Sequence, residues 1–328
     1  MSETASGRPI RILAPAKVNL VLRVLDRRPD GYHNLWSLMQ TVLLTDSLIL
    51  RRVPRRPSEP GGRVRLACDD PSLPTDGRNL IVKAAAAVLA RARLQDRFGD
   101  TIDIDVAKRI PMGGGLGGGS SDAAATILGL NHLLELGWPE ETLKAVGAEV
   151  GSDVPFFMAA PTARVKGRGE DVQRLTLRDR RWIVLVNPGF PIETKGAYQR
   201  LAESRSAIRP VSAALVTLAG QASVAWEDVL PLMENDFESA LAPLYPPLLD
   251  IKTDLLRAGA DAALLSGSGA TVFGLFRSEE SARQAASVLA RPGRRVDVAQ
   301  TGAEPLQCVP LDSGETVGMG AGNPASAR

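Results

Sequence analysis

Side chains that build metal or disulfide sites are scarce in this chain of 328 residues. Its two cysteines, Cys68 and Cys308, cannot form a disulfide framework or a zinc cluster. Its two histidines, His33 and His132, are too few for a multi-histidine metal centre or a protease-like triad with a spare base. Catalysis would therefore have to depend on aspartate, lysine, hydroxyl groups and the backbone.

Long hydrophobic runs and a strong net charge are also missing. No stretch approaches the roughly 18 continuous apolar residues of a membrane helix, so we expect no membrane partner. Residues 1–9 are polar and lack the apolar core of a secretion signal, which favours a cytoplasmic protein. Basic and acidic side chains number 39 and 37, so a net charge of +2 gives no reason to expect a nucleic-acid partner.

The overall composition is that of a globular protein. Hydrophobic residues make up 44% and charged residues 23%, and the length favours two lobes. We expect an N-terminal lobe over residues 1–180 and a C-terminal lobe over residues 181–310. The proline- and glycine-rich residues 54–62 predict a mobile loop, and residues 311–328, which are rich in small residues, predict a disordered tail.

Two apolar patterns predict strands in the two halves of the chain. Residues 10–25 alternate well enough to predict one or two strands, broken at Pro15. Lys17 and Asn19 would then share one face of a strand. The apolar run over residues 182–186 predicts a buried strand that opens the second half.

A glycine-rich segment is the strongest local signal. Six of the seven residues 113–119 are glycine, and residues 123–136 after them have a helical composition, with Ser120 or Ser121 as the predicted N-cap. Such a segment presents backbone N–H groups and the positive end of a helix to one point, which favours phosphate binding over a flexible linker. The predicted phosphate-binding residues are Pro111, Met112, Gly113, Gly114, Gly115, Leu116, Gly117, Gly118, Gly119, Ser120 and Ser121.

Other nucleotide-binding motifs fit this segment less well. A P-loop requires a lysine where Gly119 stands. A dinucleotide-binding GxGxxG turn should directly follow a buried strand, but the strand predicted here is half exposed and residues 108–112 intervene. The HRD and DFG triplets of protein kinases are absent from the sequence. A dehydrogenase is therefore kept only as a minor alternative.

Six short segments form an ordered set over most of residues 10–276. They are 14–20 (APAKVNL), 30–33 (DGYH), 79–82 (NLIV), 111–121 (PMGGGLGGGSS), 151–155 (GSDVP) and 266–270 (SGSGA). In this order they resemble the GHMP small-molecule kinases, and among them the branch that phosphorylates 4-diphosphocytidyl-2-C-methyl-D-erythritol. The DGYH segment together with Lys17 and Asp153 makes the resemblance specific to that branch.

The resemblance implies a two-lobed α/β (α+β) GHMP kinase fold. Its N-terminal lobe would be of the ribosomal-protein-S5 type and its C-terminal lobe ferredoxin-like, with the active site between them. The implied reaction transfers the γ-phosphoryl group of ATP, with Mg²⁺, to the 2-hydroxyl of the cytidyl substrate in the non-mevalonate isoprenoid pathway. We expect a monomer or a homodimer whose partners are ATP and this small molecule.

The resemblance also implies the roles of individual residues. Asp153 would accept the hydroxyl proton or orient the nucleophile, and Lys17 would keep Asp153 ionised and neutralise phosphoryl charge. The alternatives are a helix N-cap for Asp153 and a solvated strand residue for Lys17. Lys108 is a candidate for the adenine pocket, and the metal ligands stay unassigned.

The cytosine would be held by stacking and by hydrogen bonds to its edge, which is a general way to select a base. Tyr32 and His33 would supply both, and Tyr198 could close the other face of the base, although core packing is an equal alternative for it. Asn19 could bind the polyol or diphosphate, or only make a strand-edge hydrogen bond. The implied substrate residues are Asn19, Tyr32, His33, Thr194, Tyr198, Gly267, Ser268 and Gly269.

Two further functions stay open at this point. Another GHMP kinase would act on a different alcohol, such as homoserine or a sugar, but the Tyr32–His33 pair has no role there. A nucleotide-binding protein without catalysis would have no need for both Lys17 and Asp153.

Overall fold

The computed structural model describes residues 8–54, 63–94, 99–302 and 304–311. Apart from residues 54 and 311, the predicted mobile loop and the predicted tail lie outside the described residues. The first part of the chain contains β1 (Ile10–Arg27), β2 (His33–Pro54), β3 (Val64–Cys68), α1 (Leu80–Arg91), β4 (Asp100–Ala107), α2 (Gly118–Leu133), α3 (Glu140–Val150), α4 (Val154–Ala159), β5 (Thr162–Gly167), β6 (Asp171–Arg174) and β7 (Thr176–Leu177).

The second part begins with the predicted buried strand. It contains β8 (Trp182–Asn187), α5 (Thr194–Ser204), α6 (Ala213–Ala219), β9 (Ser223–Val224), α7 (Trp226–Val229), a 3-10 turn (Leu230–Leu232), β10 (Glu234–Asn235), α8 (Phe237–Leu241), α9 (Pro246–Arg257), β11 (Ala262–Leu265), β12 (Val272–Phe276), α10 (Glu279–Leu289), β13 (Arg295–Gln300) and β14 (Cys308–Pro310).

A long antiparallel hairpin of β1 and β2 is the centre of the first sheet, whose main order is β10-β1-β2-β4-β3. The expected break at Pro15 is wrong: β1 is one strand, with a register shift between Pro15 and Ala16. Proline cannot donate to the ladder, and a bulge accommodates it without ending the strand. Ile12 and Ala14 pack against helices α1 and α2, whereas Ala16 and later residues pack against the second sheet.

The second sheet is antiparallel, in the order β11-β12-β8-β13. Together with the helices between its strands, this gives the ferredoxin-like arrangement that was expected. Both faces of β8 are buried: Ile183 and Leu185 pack toward β1, while Val184 and Val186 pack toward α9 and α10. The two lobes therefore share a hydrophobic core, which holds them in a defined relation.

Two short strands from late in the chain return to the first sheet. β10 pairs with β1 in parallel through Asn235 and Leu22, and β14 pairs with the start of β1. The division at residues 180 and 181 stays a prediction, and these strands show that the chain crosses between the sheets more than once. No helix among the described residues is long and apolar enough to cross a membrane.

Candidate active site

A cleft of about 1060 Å³ is lined by residues of both lobes and contains nearly all of the predicted site residues. Only Ser121 and Gly269 are missing from its lining. The predicted residues that line it are Lys17, Asn19, Tyr32, His33, Lys108, residues 111–120, Asp153, Thr194, Tyr198, Gly267 and Ser268.

The glycine-rich segment forms a loop that ends at the start of α2. The predicted serine cap is wrong: Gly117 is the N-cap residue, in a left-handed conformation with φ +70°, and α2 begins at Gly118. Glycine adopts this conformation without a steric cost, so the helix starts earlier than its composition predicted. Ser120 and Ser121 therefore lie in the first turn, where Ser120 lines the cleft and Ser121 is buried.

The loop is packed against the second predicted glycine turn, which comes from the C-terminal lobe. The hydroxyl of Ser266 donates to the carbonyl oxygen of Gly115 over 3.0 Å, and Thr271 N–H donates to the carbonyl oxygen of Gly114 over 3.2 Å. At the edge of this turn the hydroxyls of Thr194 and Ser268 are 3.1 Å apart. The GSG turn thus supports the glycine-rich loop.

Lys17 and Asp153 are brought together beside the loop. Lys17 Nζ lies 3.5 Å from Asp153 Oδ2, and Lys17 N–H donates to the carbonyl oxygen of Leu116 over 2.9 Å. The Lys17 side chain is 5% exposed and that of Asp153 is 29% exposed. A solvated strand lysine is therefore excluded. Asp153 does occupy the N-cap position of α4, but its side chain makes no capping hydrogen bond, so the carboxylate faces the cleft.

Asn19 orients the lysine. Its Oδ1 accepts a 2.8 Å hydrogen bond from Lys17 Nζ, and its Nδ2 donates to Ser37 Oγ, also over 2.8 Å. Ser37 in turn donates to the carbonyl oxygen of Val21 over 2.6 Å. Asn19 is buried on the same strand face as Lys17, as the spacing predicted.

At the other end of the cleft the predicted aromatic residues meet. The rings of His33 and Tyr198 are stacked with centroids 4.9 Å apart, and Tyr198 packs edge-on against the core residue Phe237. Tyr32 is 52% exposed. Because the His33 and Tyr198 rings touch directly, a base could not lie between those two. Tyr198 belongs both to the core and to the lining of the cleft.

The charge state of this end follows from its surroundings. Burial, helped by the positive charges of Arg205 and Arg27, lowers the pKa of His33. His33 is therefore neutral at pH 7, with one ring nitrogen that donates and one that accepts. Burial also raises the pKa of Tyr198, so its hydroxyl stays protonated.

Lys108 lines the cleft, but its ammonium group is bound between two buried carboxylates. It contacts Asp46 directly and lies 2.6 Å from Asp122 Oδ2. Asp46 Oδ1 also accepts hydrogen bonds from the backbone of Arg109 and Ile110, at the entrance of the glycine loop. Burial and the neighbouring Asp46 raise the pKa of Asp122 to about 7, against the opposing effect of Lys108. This cluster ties the entrance of the loop to the first turns of α2.

Sequence patterns missed Asn235, which holds the GSG turn. Its Nδ2 donates to the carbonyl oxygens of Leu265 and Gly267 over 2.8 Å each, and its Oδ1 accepts from Phe237 N–H. Because β10 also pairs with β1, Asn235 ties the turn to the strand that carries Lys17. No motif predicts this role, since all three partners are backbone groups and two of them, in Leu265 and Gly267, lie far away in the sequence.

Comparisons with known proteins agree with this geometry. The family models GHMP kinases N terminal domain and GHMP kinases C terminal match residues 79–160 and 221–295. A protein of Citrifermentans bemidjiense named 4-diphosphocytidyl-2-C-methyl-D-erythritol kinase is 40% identical over 284 residues, which cover 87% of this chain and 95% of that protein. A protein of the same name from Geobacter metallireducens is 42% identical over 85% of this chain and 93% of its own length.

The chain belongs to the 4-diphosphocytidyl-2-C-methyl-D-erythritol kinase family. A crystal structure of a protein named 4-(cytidine 5'-diphospho)-2C-methyl-D-erythritol kinase is 34% identical and superimposes with a TM-score of 0.69 over 90% of this chain and all of that one. The two-lobed GHMP kinase fold is thereby confirmed. Homoserine kinase from Cytophaga hutchinsonii also gives a TM-score of 0.69, but at 20% identity it shows the fold alone.

Proposed function

We propose that this kinase transfers the γ-phosphoryl group of ATP to the 2-hydroxyl of 4-diphosphocytidyl-2-C-methyl-D-erythritol. The products are the 2-phosphate and ADP, and the reaction serves the non-mevalonate isoprenoid pathway. The relatives that bear this enzyme's name support the substrate. The proposal includes a cytoplasmic location and a monomer or homodimer.

The observation that carries the proposal is the Lys17–Asp153 pair beside the glycine loop. In the reaction the substrate oxygen forms a bond to the γ-phosphorus, the bond to the β-phosphate oxygen breaks, and the hydroxyl proton passes to Asp153. The Lys17 ammonium group pairs with the carboxylate and offsets the charge that develops on the phosphoryl oxygens. The hydrogen bond from Lys17 Nζ to Asn19 Oδ1 fixes the ammonium group, so that it can serve both the Asp153 carboxylate and the phosphoryl group.

ATP would lie along the glycine loop. The N–H groups of the loop and the positive end of α2 would bind its phosphates, and phosphoryl transfer requires chiefly such positioning and charge stabilisation. Asp46 and the GSG turn support the loop from its two sides. The Lys108 ammonium group, with two carboxylate partners, would support the loop and not bind adenine.

The cytosine would bind at the aromatic end of the cleft. A neutral His33 can offer both a donor and an acceptor to the base edge, and Tyr32 and Tyr198 offer ring faces. Homoserine, mevalonate and sugars have no base to use these groups. The aromatic end therefore favours a cytidyl substrate over another alcohol.

We place Mg²⁺ with the phosphates of ATP. Among the residues that the structure describes, no group of three or more acidic, histidine or cysteine side chains could hold a metal ion. Mg²⁺ in kinases needs only one or two protein ligands besides phosphates and water. The hydroxyl of Ser120 is an oxygen donor in the cleft that fits this need, and the bound ion would neutralise phosphate charge.

ADP release by the purified protein tests the proposal. It should be followed with MgATP and each of four acceptors: the cytidyl substrate, homoserine, mevalonate and galactose. We expect release with the cytidyl substrate only. Release with another acceptor instead would overturn the substrate, and no release with any of them would overturn the kinase activity.

A further inference from the structure

Arg168 lines the cleft between its aromatic end and Asp153, and the proposed mechanism gives it no role. It is the central residue of the turn between β5 and β6, in the sequence Gly167-Arg168-Gly169. Its guanidinium carbon lies 4.8 Å from the centroid of the Tyr32 ring. Cations commonly occupy this position over an aromatic face.

Contacts on two sides fix the position of the turn. On one side Gly167 pairs with Leu35, two residues after the DGYH segment. On the other side a side chain at Gly169 would come within 2.0 Å of the carbonyl oxygen of Ser152, so the turn packs directly on the residue before Asp153. The turn thus bridges the aromatic end of the cleft and the proposed catalytic carboxylate.

A backbone carbonyl group holds the guanidinium group of Arg168, and its described contacts include no ion pair with a carboxylate. One of its nitrogens donates to the carbonyl oxygen of Ala148 over 3.2 Å. Glu170 accepts a hydrogen bond from the backbone N–H of Arg168, while its carboxylate pairs with Arg28 at 3.6 Å. The hydrogen bond from the backbone N–H of Tyr32 lowers the pKa of Asp30, with smaller contributions from Arg28 and Arg168, and the Asp30 carboxylate pairs with Arg28 at 3.2 Å. A half-buried guanidinium with further donors is suited to phosphate oxygens.

The position of Arg168 matches the order of groups in the proposed substrate, on which this inference rests. The cytosine and the reacting hydroxyl lie at opposite ends of that molecule, and a diphosphate joins the two parts. With the base near Tyr32 and the hydroxyl near Asp153, the diphosphate must pass the wall between them. We propose that Arg168 binds this diphosphate and so contributes to the selection of a nucleoside-diphosphate-linked alcohol.

Binding of cytidine and cytidine 5'-diphosphate separates this role from simple support of Tyr32. Both should be titrated calorimetrically against wild type, Arg168→Met and Arg168→Lys, with ADP at saturation so that the ATP pocket is filled. We expect Arg168→Met to weaken the binding of cytidine 5'-diphosphate by about 10- to 100-fold and to change the binding of cytidine little. Only the diphosphate loses charged hydrogen bonds in this variant. Arg168→Lys keeps the charge, so its affinity for cytidine 5'-diphosphate should lie between those of wild type and Arg168→Met.

Kinetics of the same proteins supply the second measurement, with Arg283→Met as a matched control. Arg283 lies on α10 and pairs with Glu279, away from the cleft. In Arg168→Met we expect the KM for the cytidyl substrate to rise by about 10-fold or more, with the KM for ATP unchanged. Arg283→Met should change neither constant.

Each other result contradicts the inference in a distinguishable way. Equal weakening of cytidine and its diphosphate would show that Arg168 only supports Tyr32. Unchanged binding of both would show that it contacts neither. Failure of the wild type to bind either compound or to phosphorylate the substrate would overturn the proposed function itself. If Arg168→Met fails to fold by circular dichroism, Arg168→Lys carries the same comparison.

Discussion

Gly115 and Ser266 come so close that a side chain on the glycine would lie 2.0 Å from the carbonyl oxygen of Ser266. They belong to different lobes, and their backbones meet where the glycine-rich loop packs against the GSG turn. Gly115 also has φ +75°, a conformation that favours glycine. The loop can therefore take its shape only with glycine at this position.

Replacement of Gly115 by alanine should separate the two turns. We expect kcat/KM to fall by about 100-fold, since displacement of about 1 Å in a catalytic site can cost that much. Gly137→Ala is the matched control, because Gly137 has φ +63° but nothing within 4 Å of an added side chain. It should lose about 1 kcal/mol of stability from the backbone conformation and keep its activity. Equal activity of the two variants would contradict the role of this contact.

Asn235→Asp should disturb the GSG turn, which packs against the glycine-rich loop. A carboxylate cannot donate to the carbonyl oxygens of Leu265 and Gly267, so those acceptors would face a negative charge. We expect a stability loss of about 1 to 3 kcal/mol and a fall in kcat of about tenfold or more at temperatures where the variant is folded. Asn131→Asp makes the same change at a residue that hydrogen bonds Trp138 outside the cleft, and it should leave kcat unchanged. A normal kcat for Asn235→Asp would refute the positioning role.

Two variants of Tyr198 test the aromatic end. Tyr198→Phe keeps the ring that stacks on His33 and should change the KM for the cytidyl substrate little. Tyr198→Ala removes a stacking face, which is worth about 1 to 3 kcal/mol per base, so this KM should rise by about 5- to 150-fold. The KM for ATP serves as the internal control. A parallel rise in both constants would mean that Tyr198 acts only through the core.

The raised pKa of Asp122 gives the stability of the protein a pH dependence. Its pKa is about 7 in the folded state, against an ordinary value of 3.8, so the folded protein holds a proton that the unfolded chain has lost. Stability from this group is therefore present below about pH 4 and is lost as the pH rises to about 7. Asp122→Asn cannot titrate there. We expect the unfolding free energy of wild type to fall, relative to this variant, between about pH 4 and about pH 7 in urea titrations. Parallel profiles over that range would contradict the assignment.

The residue roles stay predictions, but the structure does bring Lys17 and Asp153 together beside the glycine loop. The glycine segment could be predicted from its composition, and Lys17 and Asp153 could be predicted from the resemblance to the GHMP kinases. Asn235 could not, because its partners are backbone carbonyl groups brought near by the fold. The binding of Lys108 between Asp46 and Asp122 could not be predicted either. Asp46 lies 62 residues away, and an isolated lysine is equally compatible with nucleotide binding.

In the fold, too, the elements with a pattern of their own could be predicted, whereas those defined by distant partners could not. The buried strand β8 was predicted from its apolar run, and β1 from the alternation of residues 10–25, although without its continuity through Pro15. The two-residue β10 and three-residue β14 have no pattern of their own, because pairing with β1 alone defines them. The start of α2 was misplaced because the left-handed Gly117 decides it, and helix composition carries no sign of that conformation.

The turnover of Asp153→Asn tests the central claim most directly. The variant should be compared with wild type and with the control Asp250→Asn, since Asp250 is exposed on α9. The measurements are ADP release with MgATP and the cytidyl substrate, and calorimetric binding of ADP and of cytidine 5'-diphosphate. We expect kcat to fall by about 100- to 10,000-fold in Asp153→Asn alone, with both ligands still bound, because only proton acceptance and orientation are lost. A kcat within a few-fold of wild type would contradict the assignment of Asp153 and with it the proposed mechanism.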